Sequence, residues 1–252
     1  MWILRSFLII LLALGSGKLC NILILLFTGD REEQNNLRYP SCNSNLRWFF
    51  YIPILGIVFT KHTYSECKKN NLIFLLINEI LTPALIILLY LKFDFTFIFF
   101  QYMLLTILGV VIFYTDLFKR IIPDILIYPM IIAALLFSWV NSIGFWGALK
   151  GFILGASFFV IIALLFRWLT KRQGLGGGDI KLISVIGLSL GFKLTFLTIF
   201  LSSVLGVIIY AFSRVRKDIL IPFGSFIVIA MYASMIIGNE MIDWYLGLWG
   251  VA

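Results

Sequence analysis

The chain has 252 residues, of which 62% are hydrophobic and only 13% are charged, and its mean hydropathy is +1.05. Soluble domains average about 45–50% apolar and about 25% charged residues, so this composition excludes an ordinary soluble protein. The net charge of +8 does not indicate nucleic-acid binding, because the basic residues stand in short clusters between apolar segments. We therefore expect an all-α, polytopic integral membrane protein that has the lipid bilayer as its main partner.

Eight apolar segments predict helices along the chain. They are residues 3–27, 72–91, 95–115, 124–140, 146–168, 180–190, 193–212 and 222–238. The sixth segment, 180–190, is short, and at about 1.5 Å per residue it covers only about half of the hydrocarbon layer. We expect it to begin below the membrane surface. The sequence thus predicts about eight transmembrane helices.

Two charged residues lie inside the first two predicted helices, Lys18 in the first and Glu79 in the second. An unpaired charge at the centre of a membrane helix costs about 2.5–3.5 kcal/mol on insertion scales. We hypothesise that Lys18 pairs with Glu79 and fixes the first helix against the second. In the alternative, Lys18 extends to the interface and Glu79 is protonated.

The largest polar segment is the loop 28–71. Cysteines lie at Cys42 and Cys67 in this loop and at Cys20 in the first helix. Three cysteines are too few for a disulfide framework. Tetrahedral zinc takes four ligands, and the two loop thiols with His62 would form an incomplete site. We therefore predict no bound metal, with Cys42 and Cys67 as weak zinc candidates.

Basic residues are distributed unequally between the two sides of the predicted membrane domain. One side has Arg31, Arg38, Arg47, Lys61, Lys68, Lys69, Lys119, Arg120, Arg167, Lys171, Arg172, Arg214, Arg216 and Lys217. The other side has Lys92, Lys150 and Lys193, together with Asp94, Glu240 and Asp243. Loops rich in Lys and Arg stay in the cytosol, so the first side is predicted to be cytosolic. With eight spans, both termini are then outside.

Two carboxylates fall on the predicted cytosolic face. Asp116 ends the third apolar segment, and Asp179 follows the run Gly174-Leu175-Gly176-Gly177-Gly178. Hydrolysis of a peptide bond without a metal needs a base to activate water and an acid to protonate the leaving amine. Two carboxylates that share one proton provide both, and they titrate as a pair. We therefore predict that Asp116 and Asp179 are the catalytic residues of a membrane aspartic protease.

Other interpretations of these acids stay open. A single Asp at a helix end is often a cap or a solvated boundary residue, and a glycine run before an Asp also fits a tight turn. Asp124 competes with Asp116 for the catalytic role. Because Asp124 follows Pro123 and precedes an apolar segment, we interpret it as the start of a helix.

The motifs around these acids resemble those of the type IV prepilin peptidase family, the GxGD-type membrane aspartic proteases. The resemblance is carried by three stretches. They are Asp116-Leu117 to Ile122-Pro123-Asp124, Gly176-Gly177-Gly178-Asp179-Ile180-Lys181-Leu182, and Ile221-Pro222-Phe223-Gly224-Ser225-Phe226, where the family often has Pro in place of Ser225. It implies that Asp116 and Asp179 are catalytic and that Gly176, Gly177, Gly178 and Lys181 support them. It also implies an N-terminal region, 1–91, and a six-helix peptidase domain, 92–252.

The resemblance implies a function in the bacterial cell membrane. Members of this family cleave the short basic leader from prepilins or pseudopilins at the cytosolic face, in pilus, competence or secretion systems. Many also methylate the new N-terminus with S-adenosylmethionine, which we keep as an expectation. Many have two Cys-x-x-Cys pairs in the N-terminal loop. This chain has Tyr39 and Tyr64 where the first cysteine of each pair is expected, so zinc is not expected.

Three other functions compete with leader cleavage. Another GxGD protease, such as a preflagellin or signal-peptide peptidase, fits less well because this chain has the long N-terminal loop and the Pro-Phe-Gly element. A transporter or channel would often show inverted repeats, and none is visible. An inactive protein of a pilus or competence assembly is the third alternative, although both predicted catalytic acids are present.

Overall fold

A computed structural model describes residues 2–28, 69–141, 143–171, 176–212 and 222–250. The regular structure of this part of the chain consists of helices only. They are α1 (Trp2–Thr28), α2 (Lys69–Phe93), α3 (Phe97–Lys119), α4 (Asp124–Ser138), α5 (Gly144–Thr170), α6 (Gly177–Phe212) and α7 (Phe223–Leu248). The predicted all-α class is confirmed. Most of the loop 28–71, with Cys42 and Cys67, lies outside the described residues.

Six of these helices are long and apolar enough to cross a membrane, and only α4 is shorter. Many large apolar side chains on their outer surfaces are exposed in the protein alone, among them Ile80, Leu136 and Phe212. Such a surface is compatible with lipid and not with water. The protein is therefore a multi-pass membrane protein, as the composition predicts.

The sixth and seventh apolar segments belong to one helical element, α6, which is broken at Gly191. The backbone of Gly191 has φ 75° and ψ 179°, a conformation that glycine adopts without steric cost. The chain reverses direction there. Leu194, just after the break, packs against Gly238 late in α7, whereas Gly206 approaches the Phe223 ring at the start of α7. Because of this break the eight segments form seven helical elements, and the number of eight spans stays a prediction.

The first arm of α6, residues 177–190, packs very closely on α5. A Cβ atom added at Gly155 would lie 2.7 Å from the carbonyl oxygen of Ile183, and one added at Gly187 would collide with the carbonyl oxygen of Gly151. Small residues at membrane helix contacts let the backbones approach and gain dispersion energy. This contact fixes the position of the first arm of α6 along α5, and with it the position of Asp179 along the bundle axis.

The predicted Lys18–Glu79 pair is confirmed. The Lys18 Nζ lies 3.0 Å from the Glu79 Oε1, and both side chains are buried, with 7% and 3% of their surface exposed. Pairing relieves much of the cost of placing either charge among apolar helices. The pair therefore joins α1 to α2 in the interior of the bundle.

Neutral polar side chains extend this α1–α2 contact. The Asn78 amide donates to the Asn21 side chain at 2.6 Å, and the Asn21 amide donates to the Leu75 carbonyl at 3.1 Å. The Thr82 hydroxyl donates to the Asn78 side chain at 2.8 Å. Buried polar groups that satisfy one another fix the register of two helices. The helices α1 and α2 are thus held together by hydrogen bonds as well as by packing.

Contacts between helices identify the two ends of the bundle. At one end, the Tyr114 hydroxyl near the end of α3 donates to the Phe74 carbonyl near the start of α2. At the opposite end, the Lys92 ammonium at the end of α2 contacts the Glu240 carboxylate in α7 at 2.5 Å. The end of α3 and the starts of α2 and α7 therefore lie at the first end, where residues from the starts of α4 and α6 join Asp116 around one cavity.

Candidate active site

A cavity of about 550 Å³ opens at this first end of the bundle. One wall is formed by Asp116 and by residues Arg120–Asp124, which connect α3 to α4. The other wall is formed by Gly176–Asp179 and Lys181, at the start of α6. The structure thus brings both predicted catalytic acids and all of the predicted supporting residues to one cavity.

Asp116 lies in the last turn of α3 and is only 5% exposed. The backbone N–H of Ser225 donates to the Asp116 Oδ2 at 2.7 Å, and the Ser225 hydroxyl lies 3.1 Å from the same oxygen. Ser225 is in the first turn of α7, where backbone N–H groups have no intrahelical acceptor. Since Pro222 provides no side-chain cap, the Asp116 carboxylate serves as a cap from another helix.

Gly224 allows this close approach of α7 to Asp116. A Cβ atom added at Gly224 would lie 3.0 Å from the Asp116 Oδ2 and 2.9 Å from the Ile122 Cδ1. A larger residue would displace the Asp116 carboxylate, the Ile122 side chain or the start of α7. The Pro-Phe-Gly element is therefore part of the site.

Asp179 lies in the first turn of α6 and is partly buried. Its backbone N–H donates to the Gly176 carbonyl at 3.1 Å, which closes the turn that leads into the helix. The Asp179 carboxyl group is near enough to Asp116 for the two to interact electrostatically. Two acids from separate helices therefore face one cavity.

The three glycines before Asp179 differ in their surroundings. A Cβ atom at Gly178 would lie 3.0 Å from the Ile122 Cβ, and one at Gly176 would lie 3.1 Å from the Asp179 Oδ2. Gly177 has open space beside it. Close packing therefore explains why Gly176 and Gly178 have no side chain. At Gly177 a side chain would have room, so packing does not explain the glycine there.

Lys181 joins the two walls of the cavity. Its ammonium lies 2.8 Å from both carboxylate oxygens of Asp124, and about half of each side chain is exposed. Asp124 is the first residue of α4, which confirms its interpretation as a helix start. Its carboxylate is engaged by Lys181, in contrast to Asp116, which is held by backbone and hydroxyl donors.

Two contributors to the site were not expected from the sequence. The first is Ser225, whose donors reach Asp116. The signals for it are its place in the Ile221–Phe226 motif and its position three residues after Pro222, where a helix can start. The second is Arg120, which ends α3 in a left-handed conformation with φ 56° and lines the cavity. That position favours glycine or asparagine, so propensity does not predict an arginine there.

No group of three His, Cys, Asp or Glu side chains that could hold a metal ion occurs among the described residues. Cys42 and Cys67, the weak zinc candidates, lie outside these residues, so their prediction is not tested. Three carboxyl groups line the cavity. The two that Lys181 does not engage can activate a water molecule and supply a proton without a metal.

Comparison with known proteins gives the same family for both halves of the chain. The profile described as the type IV leader peptidase family matches residues 103–211, and that of the bacterial peptidase A24 N-terminal domain matches residues 11–93. Three similar relatives are each named prepilin leader peptidase/N-methyltransferase. That of Aeromonas salmonicida is 28% identical over 86% of this chain and 78% of the relative. Those of Pseudomonas aeruginosa (27%, over 84% and 74%) and Neisseria gonorrhoeae (24%, over 87% and 80%) are similar.

No solved structure matches the chain significantly. The relatives align over most of their own length as well as over most of this chain. The two profiles together include the cavity residues Asp116 and Asp179 and the Lys18–Glu79 pair. The chain belongs to the type IV leader peptidase family.

Proposed function

We propose that this protein cleaves the basic leader peptide from type IV prepilins or pseudopilins, with Asp116 and Asp179 as the catalytic pair. The observation that carries the proposal is that both carboxyl groups line one cavity, although they belong to different helices. The names of the relatives support the substrate class. We further propose that residues 1–91 and 92–252 form an N-terminal region and a peptidase domain, a division supported by the separate matches to the two profiles.

The two carboxyl groups divide the chemistry between them. The ionised member of the pair takes a proton from a water molecule, and the water oxygen attacks the scissile carbonyl carbon. The protonated member then gives its proton to the leaving amine, so that the pair returns to one shared proton. The two donors of Ser225 hold Asp116 in place through these steps. Either acid can begin as the base, since the pair titrates as a unit.

A groove beside the cavity fits the apolar segment that follows the cleavage site of such a substrate. The groove has a volume of about 270 Å³ and lies between α4, α5 and α6, with Ile127, Ile131, Phe152 and Val185 among its walls. Asp124 and Lys181 line both the groove and the cavity. An apolar helix that places side chains in the groove would therefore have the end next to its leader at the two acids.

We also propose that the protein lies in the bacterial cytoplasmic membrane with the cavity facing the cytosol. Arg120 lines the cavity, and Lys119 ends α3 at the same end of the bundle. At the opposite end, acidic Glu240 balances Lys92. This difference supports the orientation that the positive-inside rule predicts, and it brings the cavity to the side where a basic leader would remain.

Methylation of the new N-terminus is a second proposed activity, which rests on the names of the relatives. S-adenosylmethionine would supply the methyl group. Gly176–Gly178 form the turn into a membrane helix. The element described before them is the helix α5, whereas the glycines of a nucleotide-binding loop follow a strand. The described residues do not form a recognisable site for this donor. We therefore derive no step through it.

Cleavage of a co-expressed prepilin tests the proposed function. We expect Asp116→Ala and Asp179→Ala each to lower the cleavage rate by at least about 100-fold, as seen by gel mobility of the prepilin. Asp124→Ala should keep most of the activity, and Asp243→Ala, an exposed acid in α7 far from the cavity, serves as the matched control. Cleavage that survives Asp179→Ala would contradict the assignment. Mass spectrometry of the product N-terminus tests methylation.

A further inference from the structure

The Ser225 hydroxyl stands between two acceptors that belong to α3. It lies 3.1 Å from the Asp116 Oδ2 and 3.1 Å from the backbone carbonyl oxygen of Phe113. A hydroxyl has one hydrogen to donate and lone pairs with which to accept. The Ser225 hydroxyl can therefore donate to only one of these oxygens at a time.

We propose that Ser225 is a positioning residue that holds Asp116 in both of its protonation states by redirecting this single hydrogen. When Asp116 is ionised, the hydroxyl donates to its Oδ2. When Oδ2 carries a proton, Asp116 donates to the Ser225 oxygen, and the hydroxyl hydrogen turns to the Phe113 carbonyl. No proton is gained or lost by Ser225 in this exchange, and Asp116 has a hydrogen-bond partner in either state.

The backbone N–H of Ser225 has a different part in the same contact. It lies 2.7 Å from the Asp116 Oδ2, and an N–H group can donate but cannot accept. It therefore fixes the position of the carboxyl oxygen but cannot receive a proton from it. Of the two donors, the hydroxyl can also accept a hydrogen bond when Asp116 is protonated. A mutation of the side chain changes the hydroxyl and leaves the backbone N–H in place, so the two contributions can be measured separately.

On the α7 side of Asp116, the Ser225 hydroxyl is the neutral group that can both donate and accept a hydrogen bond. Charged groups face the cavity from three elements: Arg120 from the end of α3, Asp124 from the start of α4, and Asp179 with Lys181 from α6. From α7, Gly224 and Ser225 approach Asp116, and neither has a charge. The Ser225 hydroxyl can donate to the ionised acid and accept from the protonated one, so in this chain it can stabilise both states of Asp116.

This inference rests on the proposed function, and two variants separate its parts. Ser225→Ala keeps the backbone N–H and removes the hydroxyl, whereas Ser225→Thr keeps both. Prepilin cleavage by the purified full-length protein in lipid nanodiscs gives kcat and KM at several pH values. We expect Ser225→Ala to lower kcat roughly 10- to 100-fold with KM unchanged, and Ser225→Thr to restore most of the loss.

The pH profile distinguishes proton handling from a structural role. The bond to the ionised carboxylate is charge-assisted and is the stronger of the two, so its loss favours protonated Asp116. We expect the acidic limb of the kcat profile to move to higher pH in Ser225→Ala and to stay in place in Ser225→Thr. A merely structural role would lower the yield of folded protein without moving this limb. An unchanged kcat and pH profile in folded Ser225→Ala would overturn the inference.

Infrared spectroscopy tests the inference without a substrate. The carboxylic-acid C=O band that disappears in Asp116→Asn can be followed against pH in the wild type and in Ser225→Ala. We expect both its frequency and its midpoint to change in Ser225→Ala, because the acceptor of the carboxyl proton is gone. An identical band and midpoint would contradict the inference. If the wild type cleaves no prepilin, the proposed function fails, whereas the infrared result still decides the role of Ser225.

Discussion

Removal of one member of the Lys18–Glu79 pair should destabilise the protein strongly. The two charged groups are 3.0 Å apart and less than 10% exposed, so Glu79→Leu removes the carboxylate that pairs with a buried ammonium. Loss of one partner from a buried ion pair costs about 3–5 kcal/mol. This is a large part of the total stability of a typical domain, which is about 5–15 kcal/mol. We expect Glu79→Leu and Lys18→Met each to lower the free energy of unfolding by that amount.

Replacement of both members should cost much less than the sum of the single changes. Lys18→Met with Glu79→Leu leaves no buried charge, and apolar groups of similar size often substitute for a buried pair at little cost. The reversed pair, Lys18→Glu with Glu79→Lys, should likewise regain activity that each single variant loses. The free energy of unfolding can be measured by circular dichroism in mixed micelles of increasing denaturing detergent, which gives a double-mutant cycle.

The exposed Lys92–Glu240 pair at the opposite end provides a matched control. Its members are 26% and 63% exposed, so solvent screens the interaction and Glu240→Gln should lower the free energy of unfolding far less than the Lys18 and Glu79 variants do. If the Lys18 and Glu79 variants prove additive, or if they cost no more than Glu240→Gln, the account of the α1–α2 contact is wrong.

Three further predictions follow from the packing around the site. Gly187→Ala should abolish folding or reduce it severely, because the new Cβ would meet the backbone of α5. Gly177→Ala should be tolerated, since nothing lies within 4 Å of a Cβ at that position. The yield of monodisperse protein measures both effects. Lys181→Met should slow cleavage by less than about 10-fold, because its ion pair is half-exposed, and a complete loss of cleavage would show a more direct role. Ile131→Trp should fill the groove and block cleavage of a full-length prepilin but not of a short soluble peptide that spans the cleavage site. The control Ile132→Trp, on the exposed side of α4, should block neither reaction. If Ile131→Trp affects both substrates equally, the groove does not bind the apolar segment of the prepilin.

Composition and local motifs predict the class of this protein and the location of its site. Apolar segments predict the helices because each membrane-spanning backbone must satisfy its own hydrogen bonds. The charge distribution predicts that Asp116 and Asp179 share one face, and the structure brings both to one cavity. Their catalytic role stays a prediction.

Contacts between distant residues are harder to predict from the sequence. The break at Gly191 depends on a backbone conformation that a single glycine in an apolar run does not reveal. The contact of Ser225 with Asp116 joins residues far apart in the chain, and no local pattern specifies it. The close approach of α5 and α6 is different. Glycines four residues apart, at Gly151 and Gly155, are a known signal for such a contact.

Asp116 also shows why a site residue can have two roles. Its carboxylate accepts the Ser225 N–H at the start of α7, and loss of a helix cap typically costs about 1 kcal/mol. Asp116→Ala therefore removes the proposed catalytic group and also weakens a helix contact. Asp116→Asn keeps an oxygen acceptor for this N–H, so it is the better variant for separating catalysis from folding.

A cross-linking measurement tests most directly the claim that the two acids meet at one cavity. Cys20, Cys42 and Cys67 would be replaced by serine, and Asp116→Cys would be combined with Asp179→Cys in intact membranes. We predict rapid intramolecular cross-linking by a short bifunctional thiol reagent, and labelling of both thiols from the same side. If the two thiols react only from opposite sides, or both react but never cross-link, residues 116 and 179 do not share a site and the proposed hydrolysis is contradicted.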